Sequence, residues 1–138
     1  MKLRLLTYAL LASAIFTLCG CQSNTTQQAP QVIVANELAA MNRLRAIAKA
    51  EAMYHIESGG RYATLDDLIS KGLVNDPSRG KLTGYKFAVR LKGTGFEATA
   101  VPERFGISGR RSFYIDESGL MRAADKRGAE ATSTDPAA

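Results

Sequence analysis

The sequence predicts an α+β domain in which one long N-terminal helix packs on a three- to four-stranded antiparallel sheet, with a short second helix between them in the chain. Three observations support this class. Residues 36–58 place apolar side chains on one side of a helix, residues from 85 onward alternate with a period of two, and glycine-containing turns separate the alternating runs. A helix followed by consecutive strands is typical of two-layer α+β domains.

The long helix is predicted over 36–58. Asn36 is a suitable N-cap, Glu37 favours the first turn, and Gly59-Gly60 supplies the end. At about 100° per residue, several apolar side chains gather on one side of this helix: Met41, Leu44, Ile47, Ala48 and Tyr54. This stripe needs a covering layer, which the strands supply.

The short helix and the strands follow in order. Thr64 and Asp67 form a T-x-x-D capping box at the start of the short helix, and Gly72 ends it. Alternation then predicts four strands, over 85–91, 96–101, 111–116 and 120–122. The expected core side chains on the sheet are Tyr85, Phe87, Phe96, Phe113 and Ile115. The strands are followed by a tail over 123–138 that is small and polar, and it is predicted to be disordered.

The N-terminus has the pattern of a secretory signal peptide over 1–20. Lys2 and Arg4 give a positive start, and residues 5–18 are almost wholly apolar. A permanent membrane-spanning helix is the alternative, but this stretch is shorter than the roughly 20 residues needed to cross a bilayer core.

The segment Leu18-Cys19-Gly20-Cys21 resembles a bacterial lipobox. That resemblance implies cleavage between Gly20 and Cys21 and attachment of a lipid to Cys21. Cys19 would leave with the signal, so the mature chain would have no disulfide. Gln22 after the lipidated residue resembles outer-membrane sorting, with the face of the membrane left open.

Residues 21–35 are uncharged and mostly polar, and they are predicted to be a tether between lipid and domain. Val32, Ile33 and Val34 are too apolar for a pure linker, so they either begin the helix or dock on the domain.

Residues 36–122 resemble the head of a type IV pilin or pseudopilin. The resemblance rests on short motifs in a fixed order: Arg45, Ile47, Ala50, Glu51 and Tyr54 in the helix, Gly59-Gly60-x-Tyr62, Leu65-x-x-Leu68 with Gly72-Leu73, Gly84-Tyr85-x-Phe87, Phe96-x-Ala98-x-Ala100, and residues 111–119. It implies one helix packed across an antiparallel sheet.

This sequence departs from the pilin pattern at its N-terminus. Pilins are cut before their apolar stretch and keep it, whereas the cleavage predicted here removes it. There is also no Phe-Thr-Leu-Ile-Glu-type segment after a glycine. We therefore expect a pilin-like structural or interaction module of the cell envelope, held by a lipid and binding an envelope protein, with a secretion or pilus-like assembly as a candidate partner. The alternatives are a true pseudopilin or minor pilin, and a small envelope enzyme or ligand-binding protein.

Glu51 and His55 are the polar pair to consider, because they lie four residues apart within the apolar stripe. A structural role is favoured, with Glu51 bound by backbone amides or by an arginine such as Arg61 or Arg111. A metal or acid–base site is the alternative, but His55 is the only histidine and spacing places no further ligand. No catalytic, metal or cofactor residues are predicted.

The loop over 102–110 includes Gly106-Ile107-Ser108-Gly109-Arg110, which is predicted to be a flexible turn between strands. The alternative is a partner-binding loop, through Phe105, Arg110 and Arg111. The net charge of +5 would fall to +3 on loss of Lys2 and Arg4, and the remaining basic residues are scattered. Nucleic acid is therefore not an expected partner. Nothing indicates a small-molecule substrate, and the chain is not predicted to be an enzyme.

Overall fold

A long helix lies across a four-stranded antiparallel sheet whose strands follow one another in chain order. The computed structural model describes residues 25–77 and 84–138. Its elements are α1 (Thr25–Glu57), α2 (Leu65–Ser70), β1 (Tyr85–Lys92), β2 (Gly95–Pro102), β3 (Ser112–Asp116) and β4 (Arg122–Ala124). The predicted α+β class, with one long helix, a short second helix and an antiparallel sheet, is confirmed at this level.

The predicted signal peptide over 1–20, its cleavage site after Gly20 and the lipid-bearing Cys21 lie outside the described residues. They stay predictions. Within 25–77 and 84–138, no helix combines the length and the apolar character needed to cross a membrane.

The core lies between α1 and the two central strands. Leu44 and Ile47 of α1 are fully buried, as the apolar stripe predicts, and they face a layer built on β2 and β3. In the register of β2 with β3, Ala98 pairs with Ile115 and Ala100 pairs with Phe113. Each of these small side chains on β2 therefore lies opposite a large one on β3. The short alanine side chains leave room for the helix to approach the sheet closely. Of the predicted core residues, Phe87 is only partly buried.

The second helix begins as predicted. Thr64 accepts a hydrogen bond from the backbone N–H of Asp67, and the Asp67 side chain accepts one from the backbone of Thr64. Both halves of the capping box are therefore present.

The start of α1 was predicted wrongly. The helix begins at Thr25, so Asn36 is not its N-cap, and residues 25–35 are helical rather than a flexible tether. Once a helix is nucleated by tertiary packing, each added residue costs little, and this segment contains glutamine and alanine but no glycine. Pro30 lies inside the helix and removes one backbone hydrogen bond without ending it.

The prediction of a disordered tail over 123–138 is also wrong. Residues 122–124 form β4, and the chain then returns along its free edge, where Ala123 N–H donates to Pro136 O at 3.0 Å and Ala138 N–H donates to Met121 O at 2.9 Å. Ala131 is 2% exposed. Small side chains fit closely against the sheet, and the returning backbone satisfies an edge that would otherwise face solvent.

Candidate functional site

The loop between β2 and β3, residues 103–111, is held in shape by hydrogen bonds between its own residues. Ser108 is the centre of this set: its Oγ accepts from Arg104 N–H at 2.9 Å and donates to Arg104 O at 3.0 Å. Gly106 N–H donates to Gly109 O at 2.8 Å. The loop therefore has a defined shape rather than an open one.

Glu37 of α1 clamps this loop to the helix. Its Oε1 accepts the backbone N–H groups of Arg110 and Arg111 at 3.0 and 3.1 Å, and its Oε2 accepts from Arg111 Nε at 2.9 Å. The preceding residue contributes as well, because Asn36 Nδ2 donates to Ser108 O at 2.9 Å. The local pattern placed both residues at a helix start, and nothing near them in the sequence indicates a partner more than 70 residues away.

The clamp holds Glu37 in its charged form. Its side chain is only 10% exposed, and burial by itself would raise the pKa of a carboxyl. The two backbone N–H groups and the Arg111 guanidinium outweigh burial and lower the pKa of Glu37 below its ordinary value of 4.5. An ionised carboxylate is thus the element that joins α1 to the loop.

Tyr85 braces the other end of the loop. Its hydroxyl donates to Arg111 O at 2.7 Å, and its ring packs directly on Gly109. A Cβ at position 109 would collide with the Tyr85 hydroxyl and ring, so only glycine fits there.

The braced loop exposes apolar and cationic groups together. Phe105 is 39% exposed and Ile107 is 58% exposed. The guanidinium groups of Arg104 and Arg110 form no ion pair or hydrogen bond with any described residue. We call these four residues the base patch.

The base patch borders an open pocket of about 800 Å³ between the loop and the N-terminal part of α1. Pro30, Ile33 and Val34 form its helix side, and Gly106 and Arg110 lie on its loop side. Val34 is 64% exposed, so the described chain leaves this apolar stretch of α1 largely uncovered.

The predicted partner-binding residues separate into two groups. Phe105 and Arg110 present their side chains to solvent, as expected of contact residues. Arg111 instead binds Glu37, with its guanidinium 5.4 Å from the centre of the Phe113 ring. Arg104 and Ile107 were not predicted, because the sequence does not show that their side chains are exposed in the folded loop.

Glu51 and His55 occupy the opposite half of α1. Glu51 is wholly buried, and its Oε2 accepts from Ala63 N–H at 3.0 Å. The His55 ring stacks on Tyr62 with centroids 4.4 Å apart. Glu51 Oε1 and His55 Nδ1 are buried without a hydrogen-bond partner among the described residues. Of the predicted alternatives for Glu51, a backbone amide is the one present, while Arg111 binds Glu37 and Arg61 donates to Ser58. The contacts of Glu51 with Ala63 and of His55 with Tyr62 hold the segment after α1 against the helix.

Among residues 25–77 and 84–138, no three histidine, cysteine, aspartate or glutamate side chains are grouped as a metal ion would require. Burial raises the pKa of Glu51 above its ordinary 4.5, while the Ala63 N–H lowers it in part. The carboxyl is therefore stabilised in its neutral form.

We expect Glu51→Gln to keep the bond from Ala63 N–H and to stabilise the fold near neutral pH by about 1 kcal/mol, since it removes a poorly solvated charge. Because the folded pKa of Glu51 lies above 4.5, the contribution of Glu51 to stability is fully present below that pH and is lost as pH rises through the folded value. The advantage of Glu51→Gln should therefore grow between pH 4 and pH 7 in urea unfolding. Glu57→Gln, on the exposed last turn of α1, is the control. A variant advantage that is constant with pH would contradict this assignment.

Comparisons of the chain with protein-family models, with curated proteins and with solved structures find no match.

Proposed function

We propose that this chain is an exported bacterial lipoprotein whose pilin-like head acts as a structural or interaction module of the cell envelope. Its partner in this proposal is an envelope protein, and its membrane is the outer membrane, on the basis of Gln22. The resemblance of residues 36–122 to pilin heads and the lipobox-like segment ending at Cys21 support it.

The observation that carries the proposal is the length of α1. The first residue of the helix is Thr25, so the helix begins 11 residues before Asn36. Asn36 is the residue whose side chain donates a hydrogen bond to Ser108 of the β2–β3 loop. At 1.5 Å per residue this extension spans about 16 Å. The head would therefore stand on a helical stalk that starts four residues after the lipidated cysteine.

The same observation favours a second candidate, a true pseudopilin or minor pilin. In such subunits the apolar stretch and the head helix are continuous, and a helix starting at Thr25 shortens the gap between them in this chain. The two candidates differ in which residues the mature protein retains.

Neither candidate gives Glu51 and His55 a catalytic role. The Glu51 carboxylate is wholly buried and already binds the Ala63 amide, which leaves no route by which a substrate would reach it.

We expect Cys21→Ala to prevent lipid attachment and the cleavage that accompanies it, so metabolic labelling with a radioactive fatty acid should mark the wild-type chain but not this variant. Cys19→Ala, two residues earlier, should still be labelled. Intact-mass measurement of the wild-type mature chain should give an N-terminus at a diacylglyceryl-modified Cys21. Retention of residues 5–18 in the mature protein would instead support the pseudopilin.

The proposed binding of an envelope protein is tested in membranes of the same cells. Chemical cross-linking of the anchored chain should give an adduct with an envelope protein, and Cys21→Ala should lose it. An anchored chain that gives no such adduct would retain the lipoprotein assignment but contradict the interaction role.

A further inference from the structure

We propose that the base patch docks on an anionic phospholipid surface, with Phe105 and Ile107 entering the interface and Arg104 and Arg110 binding headgroup phosphates. This inference rests on the proposed function, because the lipid anchor is what brings the head to a bilayer. It goes further by assigning the predicted partner-binding loop to the membrane itself.

The position of the base patch favours this occupant. In the proposed mature lipoprotein, residues 21–24 join the lipid on Cys21 to the described chain at Thr25. The loop is attached to α1 at Asn36 and Glu37, about 16 to 18 Å along a helix of roughly 50 Å. The base patch therefore lies at the end of the head nearest to the membrane-attached terminus, and a tilt of the stalk brings the two to one surface.

The chemistry of the base patch fits a lipid interface. Exposed aromatic and aliphatic side chains enter the boundary between headgroups and acyl chains. Guanidinium groups bind phosphate oxygens through paired hydrogen bonds. Phe105 and Ile107 supply the first kind of group, and Arg104 and Arg110 the second, on a single loop of seven residues from 104 to 110.

The charged residues around the base patch also favour an anionic partner. Glu103 and Asp125 are the exposed acids beside the loop. Arg104 and Arg110 equal them in number. Arg127 adds one further cation, and it lies close to the loop because its neighbour Gly128 lies against Phe105, where an added Cβ would be 3.8 Å from that side chain. This end therefore carries a small positive excess, which an anionic bilayer attracts.

The opposite end of the head carries no such excess. At the C-terminus of α1, in α2 and in the β1–β2 turn, the exposed acids Glu57, Asp66 and Asp67 equal in number the exposed bases Arg61, Lys71 and Lys92. An anionic surface would therefore attract the base patch in preference to this end.

The bracing of the loop lowers the cost of docking. Ser108, Glu37 and Tyr85 hold the loop in one conformation before any partner is present. Little conformational entropy is then lost when Phe105 and Ile107 enter the interface.

The chain contains no tryptophan, so a single introduced tryptophan reports on one position. We would place it at Ile107, in the base patch, and separately at Leu91 as the matched control. Leu91 is 50% exposed, close to the 58% of Ile107, and it lies beside Gly60 and Arg61 past the far end of α1. The full chain would be reconstituted in phosphatidylethanolamine–phosphatidylglycerol vesicles containing brominated acyl chains, with flotation and thermal unfolding measured on every sample.

The expected result is quenching and a blue shift of Ile107→Trp emission, with Leu91→Trp unquenched. Adding Arg104→Gln and Arg110→Gln should lower the ratio of docked to undocked heads about fivefold per arginine, while the protein still floats with the vesicles. Replacing the anionic lipid with phosphatidylcholine should have the same effect.

Equal quenching at the two positions in a floating protein would overturn membrane docking and leave the lipid anchor intact. Membrane docking is likewise overturned if Ile107→Trp quenching is insensitive to both the arginines and the lipid charge. A loop that serves a protein partner would leave Ile107→Trp unquenched in these protein-free vesicles. A chain that fails to float would overturn the anchor and the docking together.

Discussion

Removing residues 129–138 should destabilise the head by about 3 to 5 kcal/mol, although their composition suggests a dispensable tail. The deletion removes the acceptor Pro136 O of Ala123 N–H and the donor Ala138 N–H of Met121 O. It also leaves the Ser112 hydroxyl, wholly buried and 2.6 Å from Ala129 O, without its acceptor. A loss of this size is a large part of the roughly 5 to 15 kcal/mol that ordinary domains possess.

Urea unfolding followed by circular dichroism would measure this loss. Ser133→Ala is the control, because Ser133 is exposed and forms no hydrogen bond with any described residue. Its midpoint should match that of the wild type. A truncated chain with a wild-type midpoint would show that the tail packs on the sheet without contributing to stability.

Glu37→Ala should cost about 2 to 4 kcal/mol, the second largest effect expected of a change to this chain. The substitution leaves two backbone N–H groups of the loop, at Arg110 and Arg111, without their acceptor. It also removes the carboxylate that the Arg111 guanidinium binds at 2.9 Å. Hydrogen exchange of these two amides should accelerate together with the drop in the free energy of unfolding.

The effect of Glu37→Ala should depend on pH in a defined direction. The folded pKa of Glu37 lies below 4.5, so its contribution is fully present above pH 4.5 and is lost as pH falls through the folded value. The difference between wild type and variant in urea unfolding should therefore be largest at pH 7 and shrink below pH 4.5. Glu57→Ala should show no such difference, and an equal cost for Glu37→Ala at pH 7 and pH 3 would contradict a charged clamp.

Local patterns were sufficient for most of the fold. The capping box at Thr64 and Asp67, the alternation in β1 and β2 and the apolar stripe of α1 each act over a few residues, and the structure contains all three. Such signals are short-range, so a single sequence reveals them.

The two errors in the fold concern residues that form long-range contacts. Asn36 resembles an N-cap, but its side-chain amide donates to Ser108 O, 72 residues away, and the helix continues before it. The tail resembles a disordered segment, but its backbone completes the edge of β4. Neither composition nor spacing records such a contact.

The candidate site was predictable only in part. The loop and its exposed Phe105 and Arg110 follow from its position between two strands, where contact residues are often found. The binding of Arg111 to Glu37 does not, because it joins positions 74 residues apart. Ile107 and Arg104 are neighbours of Phe105 in the sequence, but only the structure shows that their side chains are exposed.

Pro30 lies inside the stalk of α1, six residues before Asn36. Because proline has no N–H, the carbonyl of Thr26 lacks its usual donor, and the helix is weakest at this turn. A force applied at the N-terminal end of α1 would consequently bend the helix at this turn before it separated the helix from the sheet. A bend at Pro30 would thus change the direction of the stalk while the tertiary structure of the head stays intact.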